Sequence, residues 1–363
     1  MIKASLPTVL LCAAAISACQ SNSTTSPKID IIPESNIAGE TSSNQLNGAN
    51  ESSDSTLSDT STEPAAEPAA ELAETPSDAI TIDRPQKTGN LENTQLTEVS
   101  GMAASTRQSN TFWAINDSGN NATLFAFDTT GADLGNWKVN SNNRDWEDMA
   151  SAWVNGESYL FIADIGDNLR VKNEHSVHVI AEPIIGDNTD GPLEPLHTIR
   201  FRYPDAPHNA ESLAVNDQWI YVLTKEPLVD GERQQSRVYR IPLVLSGPSQ
   251  IVDAELIAQL AIPDSSFEAS IIASLAGVDV SQPTAFDIDK QNRNAYVLTY
   301  RSVYRYHREE GQSWADALSQ PRDRVHSHSL SQAEALAIGE DGLVWFTSEK
   351  RPAPLWALPR GLP

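Results

Sequence analysis

The chain has 363 residues, with 49 Asp and Glu against 25 Lys and Arg and a formal net charge of −24. Binding to a phosphate backbone needs clustered Lys and Arg, so this balance excludes nucleic acid as a ligand. Both cysteines, Cys12 and Cys19, fall near the start, which leaves the rest of the chain with neither disulfides nor thiolate metal sites.

Lys3 precedes an apolar run from Leu6 to Ile16 broken only by Pro7 and Thr8, too short to span a bilayer but of the length of a secretory signal. Small residues then lead to Cys19. The order Ala15-Ile16-Ser17-Ala18-Cys19 resembles the bacterial lipobox, with Ile16 where Leu is usual. The resemblance implies cleavage before Cys19, acylation of its thiol and membrane lipid as a partner. Gln20, in place of the Asp that retains many lipoproteins at the inner membrane, implies the outer membrane, facing the periplasm. An ordinary signal peptide with an incidental cysteine is the alternative.

Residues 20–87 form the next segment. Up to Pro85 it has no aromatic residue, and Lys28 and Arg84 are its only basic ones, so it cannot bury enough apolar surface to offset its ordering entropy. The repeat Glu63-Pro64-Ala65-Ala66-Glu67-Pro68-Ala69-Ala70-Glu71 predicts an extended, self-repelling tether. The folded domain is expected over residues 88–363.

Strand signals follow in quick succession: 111–115, 124–127, 159–163, 177–180, 219–224, 238–241, 295–300, 303–306 and 343–347. Each is short, and β-branched or aromatic residues dominate. The helical candidates are 253–260 and 312–319. Five segments repeat a polar start with small and apolar residues behind it: Ser100-Gly101-Met102-Ala103, Glu147-Asp148-Met149-Ala150, Glu211-Ser212-Leu213-Ala214, Thr284-Ala285-Phe286-Asp287 and Glu334-Ala335-Leu336-Ala337. A second strand follows each at hairpin spacing and ends in polar residues. Repeated antiparallel units of this kind predict an all-β fold, a β-propeller. Dividing the domain's length by about 40–50 residues per blade gives six blades. The sixth would come from 251–279 together with 91–99, and its weak signals leave five or seven open.

Three stretches resemble a group of exported bacterial six-bladed propellers: Asp145-Trp146-Glu147-Asp148-Met149-Ala150, Asp164-Ile165-Gly166-Asp167-Asn168 with Arg170, and Asn209-Ala210-Glu211-Ser212-Leu213. Glu334-Ala335-Leu336-Ala337 with Ser348-Glu349 is similar to the same group and to phytase- and gluconolactonase-type propellers. The resemblance implies a fold more than an activity.

Antiparallel pairing puts the start of a blade's first strand beside the end of its second. Glu147 is thus expected near Asp164 and Asp167, Glu211 near Lys225, Thr284 near Arg301, and Glu334 near Ser348 and Glu349, with Asn116 and Asp117 beside them at one channel mouth. Glu147, Asp164, Asp167 and Asn168 have the oxygen donors that calcium takes. Structural carboxylates, bonded to amides or paired with Lys225, Arg301 or Lys350, are the alternative. Trp146 suits either core packing or stacking on a ring. His326-Ser327-His328 would put two imidazoles on one strand face, a start for a zinc site without a third ligand. Two functions fit. One is a binding or scaffolding module that presents an acidic mouth to a protein, peptide or glycan. The other is a metal-assisted hydrolase of phosphate esters or lactones.

Overall fold

The computed structural model describes residues 82–187, 191–230, 232–260, 280–349 and 351–360. The first strand, β1 (Gln86–Asn90), leads through a loop into four antiparallel strands, β2 (Val99–Ala104), β3 (Thr111–Asn116), β4 (Thr123–Asp128) and β5 (Asp133–Lys138), which form the first blade. The second blade is β6 (Trp146–Val154), β7 (Glu157–Asp164), β8 (His175–Ala181) and β9 (His197–Arg202). The third contains β10 (Ala210–Val215), β11 (Trp219–Thr224), β14 (Ser236–Pro242) and β16 (Glu255–Leu260). A small hairpin, β12 (Leu228–Val229) and β13 (Glu232–Arg233), precedes β14, and β15 (Ile251–Asp253) lies parallel to β9 on the edge of the second blade. The fourth blade is β17 (Pro283–Ile288), β18 (Asn294–Thr299), β19 (Ser302–His307) and β20 (Asp323–Ser327), with helix α1 (Trp314–Leu318) between its last two strands. The fifth is β21 (Ala333–Ile338), β22 (Val344–Ser348) and β23 (Pro354–Leu358), and β1 completes it as the outer strand, which ties the two ends of the domain together.

The inner strands β2, β6, β10, β17 and β21 touch in a closed circle, so no further blade stands between any two of them. The expected six blades are therefore five. Of the stretch assigned to a sixth, 251–260 is divided between the edges of blades two and three, 91–98 is the loop from β1 to β2, and 261–279 lies outside the described residues. The helix expected at 253–260 is instead mostly strand β16, paired with β14 from Ser236↔Leu260 to Arg240↔Glu255. The helix expected at 312–319 is present as α1, where the Ser313 side chain caps the Asp316 amide.

Folded structure also begins earlier than residue 88. Ile82 is buried in the same core cluster as Leu91, Leu96 and Trp345, and β1 pairs from Gln86↔Ala357 onward. The core lies between the blades, where each sheet packs its apolar side chains on the next. Blades two and three share Phe161, Val179, Phe201, Leu213, Val222 and Tyr239 in this way. Trp146 belongs to that interior, fully buried between blades one and two.

Two carboxylates join adjacent inner strands. Asp148 accepts from Met149 N at 2.8 Å and from Leu213 N, in the next blade, at 2.8 Å. Asp287 repeats the pattern with Ile288 N at 2.8 Å and Ile338 N at 2.9 Å. Burial raises both acids, Asp148 well above the carboxylate range and Asp287 to about 7.

Candidate functional site

All five inner strands carry a register shift at their second residue. The pairings skip Ser100, Glu147, Glu211, Thr284 and Glu334, which are the five polar residues that open the sequence repeats. A bulged residue has no partner across the strand pair and its side chain is re-aimed. The hydroxyls are satisfied locally: Ser100 Oγ donates to Trp146 O at 3.0 Å, and Thr284 Oγ1 to Ala333 O at 2.7 Å, in each case the neighbouring blade. A carboxylate cannot donate, so the three glutamates need other company.

Glu211 finds it. Its carboxylate lies 3.1 Å from Lys225 Nζ and accepts from Asn209 Nδ2 at 2.9 Å. Lys225 Nζ also donates to the Tyr300 hydroxyl at 2.9 Å, and that hydroxyl donates to Glu334 at 3.3 Å. Burial opposes the charge on Lys225, but Glu211 and Tyr300 hold its ammonium well above the ordinary lysine range. Glu334 is raised to about 8, by burial first and then by Glu349 and Glu211.

Glu147 is only 6% exposed and forms no hydrogen bond or salt bridge with the described residues. Its carboxylate faces two others, and the ligand oxygens of Asp117, Asp145 and Glu147 lie within 4.8 Å of one another. Burial, then Glu211, Asp117 and Asp145, push Glu147 well above the carboxylate range. Asp117 rises to about 6, through burial opposed by its bond from Ser118. Asp145 is held by Lys172 Nζ at 2.9 Å, and the same ammonium donates to Gly166 O at 2.6 Å. Gly166 packs so closely that a Cβ there would stand 2.1 Å from Glu147 Oε1.

The other expected site residues lie elsewhere or do other work. Asp164 sits opposite Trp146 in register. It is bonded by Arg144 Nε at 2.9 Å and lies 3.9 Å from His178, which together hold it below the usual range against the effect of burial. Asp167 accepts from Lys172 N at 2.7 Å while its own amide donates to Asn209 Oδ1 at 2.6 Å, and Asn168 accepts from Asn209 Nδ2 at 3.2 Å. Neither belongs to the group around Glu147. Asn116 pins a loop by accepting from Thr97 N and Glu98 N at 3.0 and 3.1 Å. Arg301 reaches Leu330 O at 3.2 Å, and Glu349 is bonded by the Gln332 amide. The His326 and His328 rings stack on each other with centroids 6.4 Å apart, both lie tilted against Phe346 at 5.8 and 5.3 Å, and burial lowers His328 to about 4.

Asp145, Lys172 and Tyr300 join the mouth without having been singled out as site residues. Tyr300 could have been found: it follows Thr299 as Lys225 follows Thr224, so the two occupy equivalent places in their blades.

No family model matches the chain, and no curated protein matches it. Solved structures do. The chain is similar to the PQQ-bound aldose sugar dehydrogenase of Streptomyces coelicolor, at 11% identity and TM-score 0.38 over 76% of this chain and 96% of that one. It is similar to a gluconolactonase from Xanthomonas campestris, at 14% identity and TM-score 0.38 over 77% and 86%. It is also similar to the major Malassezia sympodialis allergen, at 10% identity and TM-score 0.44 over 78% and 98%. The blade count and the site rest on the chain's own strand pairing, by which it is a five-bladed β-propeller.

Proposed function

We propose that the protein is a lipoprotein of the bacterial outer membrane, held on the periplasmic side by acylated Cys19, whose acidic channel mouth binds calcium and through it a protein, peptide or glycan. The observation that carries this reading is Glu147: a carboxylate nine-tenths buried, without a partner, aimed at two more carboxylates. Like charges at such a distance must share protons or a cation. Oxygen donors with no histidine or cysteine among them suit a hard ion, and calcium's six to eight positions leave several open to a ligand's oxygens after three carboxylates are counted. No helix among the described residues is long and apolar enough to cross a membrane, so acylation at Cys19 would supply the anchor.

The test is isothermal titration of calcium into metal-depleted protein. One site is expected, lost in Asp117→Asn and Glu147→Gln and weaker for magnesium, which demands a tighter octahedron. A flat titration at millimolar calcium would overturn the reading. A metal-assisted hydrolase of phosphate esters or lactones is the second reading, favoured by Glu334. Its raised pKa of about 8 keeps a proton available at neutral pH on the same mouth, as a general acid beside a metal requires. Calcium-dependent turnover of p-nitrophenyl phosphate or glucono-δ-lactone, abolished by Glu334→Gln with calcium binding intact, would establish it.

A further inference from the structure

The inner strands all run the same way, so their far ends meet at the opposite mouth of the channel. There a cavity of about 610 Å³ draws lining residues from every blade, among them Thr106, Trp153, Asp217, Ile288, Lys290 and Glu340. Its volume falls within the range of small-molecule sites. Trp153 reaches it because β6 has nine residues where the other inner strands have six. The extension ends in a tight turn at Asn155-Gly156, both at positive φ (53° and 84°), the pair that a two-residue hairpin favours. Trp153 is 54% exposed, the one exposed tryptophan among the described residues.

A lone exposed apolar side chain needs no explanation in itself. Here, however, it shares the cavity lining with the apolar Ala152, Val215 and Ile288 and with polar groups of the right kinds. The Asp217 side chain forms no hydrogen bond or salt bridge with the described residues. Lys290 Nζ meets Glu340 at 3.2 Å across blades four and five, with both side chains solvent-accessible. The lining thus offers one indole face, carboxylates that can each accept two hydroxyls, and one ammonium donor.

We propose that this cavity binds a neutral glycan of one or two pyranose rings, the C–H face of a ring on Trp153 and its hydroxyls on Asp217, Glu340 and Lys290. The chemistry selects that class. Asp217, Asp289 and Glu340 against Lys290 disfavour an anionic or phosphorylated ligand, and a quaternary ammonium needs a cage of several aromatic rings where the lining has one. The site lies at the other end of the channel from Glu147 and does not depend on calcium there.

Calorimetry and ligand-observed NMR on the full mature chain, with glucose, N-acetylglucosamine, cellobiose and chitobiose as probes and choline as the competing class, test the proposal. At least one sugar should bind saturably, with Kd near about 1 mM. Trp153→Ala should weaken it at least tenfold without changing the melting temperature, because the side chain belongs to no buried core cluster. Trp153→Phe should retain part of the affinity, Asp217→Asn should weaken it, and Glu147→Gln should leave it unchanged. No saturable binding of any sugar, binding that survives Trp153→Ala, or a preference for choline would overturn the proposal.

Discussion

Replacing Glu147 by Gln separates the cost of the acidic group from its use. With oxygens no more than 4.8 Å apart, two ionised carboxylates repel by about 3 kcal/mol at an effective dielectric of about 20. Burial first, and then this repulsion, favour holding a proton, so Glu147 is raised well above the carboxylate range. A folded-state pKa above the unfolded one makes folding take up a proton, so stability falls as pH rises from about 4.5 toward the folded value. Gln resembles the protonated acid and escapes that fall. Without calcium the variant should be more stable than wild type near pH 7, by about 1–3 kcal/mol, and the difference should vanish near pH 4.5. With calcium at about 100 times Kd, wild type should gain about 2.7 kcal/mol and the variant nothing. Urea titrations at both pH values, with calcium or with chelator, read all four numbers. A variant less stable than wild type at pH 7 without calcium would show that Glu147 has a structural partner, and would refute both the repulsion and the site.

A chain beginning at Ile82 should melt as the mature protein does, whereas one beginning at Thr88 loses the buried Ile82 and half of β1's pairing with β23. Burial of one Ile is worth about 1.5–3 kcal/mol, so scanning calorimetry should show a drop of several degrees, and equal melting temperatures would show that β1 does not close the ring. Asp287→Asn keeps an acceptor for the bridging amide but removes the titration. Wild type should lose on the order of 4 kcal/mol between about pH 4 and pH 7, as an acid raised from 3.8 to about 7 gives up its proton advantage. The variant should lack that part of the slope in urea unfolding, and parallel slopes would contradict it. Cys19→Ser should release the protein to the soluble fraction after detergent-free lysis, and continued membrane association would count against acylation at Cys19.

The repeat was legible in the sequence because the bulge imposes a local rule. Each blade needs a polar residue where the pairing skips, followed by small and apolar residues that pack between sheets, and Ser100, Glu147, Glu211, Thr284 and Glu334 show it. Those five starts correspond to the five blades. The sixth rests on the resemblance to six-bladed propellers and on dividing length by a typical blade, which counts loops and edge strands as if they were core. What could not be read was long-range. Nothing local to 251–260 says that Ile251–Asp253 joins the edge of blade two while Glu255–Leu260 completes blade three, and the pairing with β14 overrides a weak helical pattern. The same limit applies at the mouth. Hairpin logic placed Lys225 on Glu211, because both flank one turn. It put Asp164 beside Glu147, whereas the bulge sets Trp146 opposite Asp164 and turns Glu147 away. The acids that do face Glu147 come from loops, Asp117 after β3 and Asp145 before β6, and a loop's path is set by tertiary contacts such as Asn143 Nδ2 on the carbonyls of Asn116 and Asp117, at 3.0 and 2.9 Å.

Comparing the blades shows what the fold requires at the bulge and what it does not. Ser100 and Thr284 occupy the same position as Glu147 and discharge their hydroxyls on a neighbouring carbonyl, so a small alcohol suffices to build the ring. Glu211 at that position is matched by Lys225 and Asn209, and Glu334 by the Tyr300 hydroxyl. Glu147 alone has no partner and two acids in front of it. Its surroundings are also shaped to keep it there: Gly166 leaves the space that a Cβ would take from its Oε1, and Lys172 is spent on Asp145 and on Gly166 O. A buried carboxylate that the architecture can do without, kept unpaired among like charges, lowers the stability of the empty protein. On the proposed reading a cation entering the mouth would reverse that sign, at the point where loops from blades one and two meet.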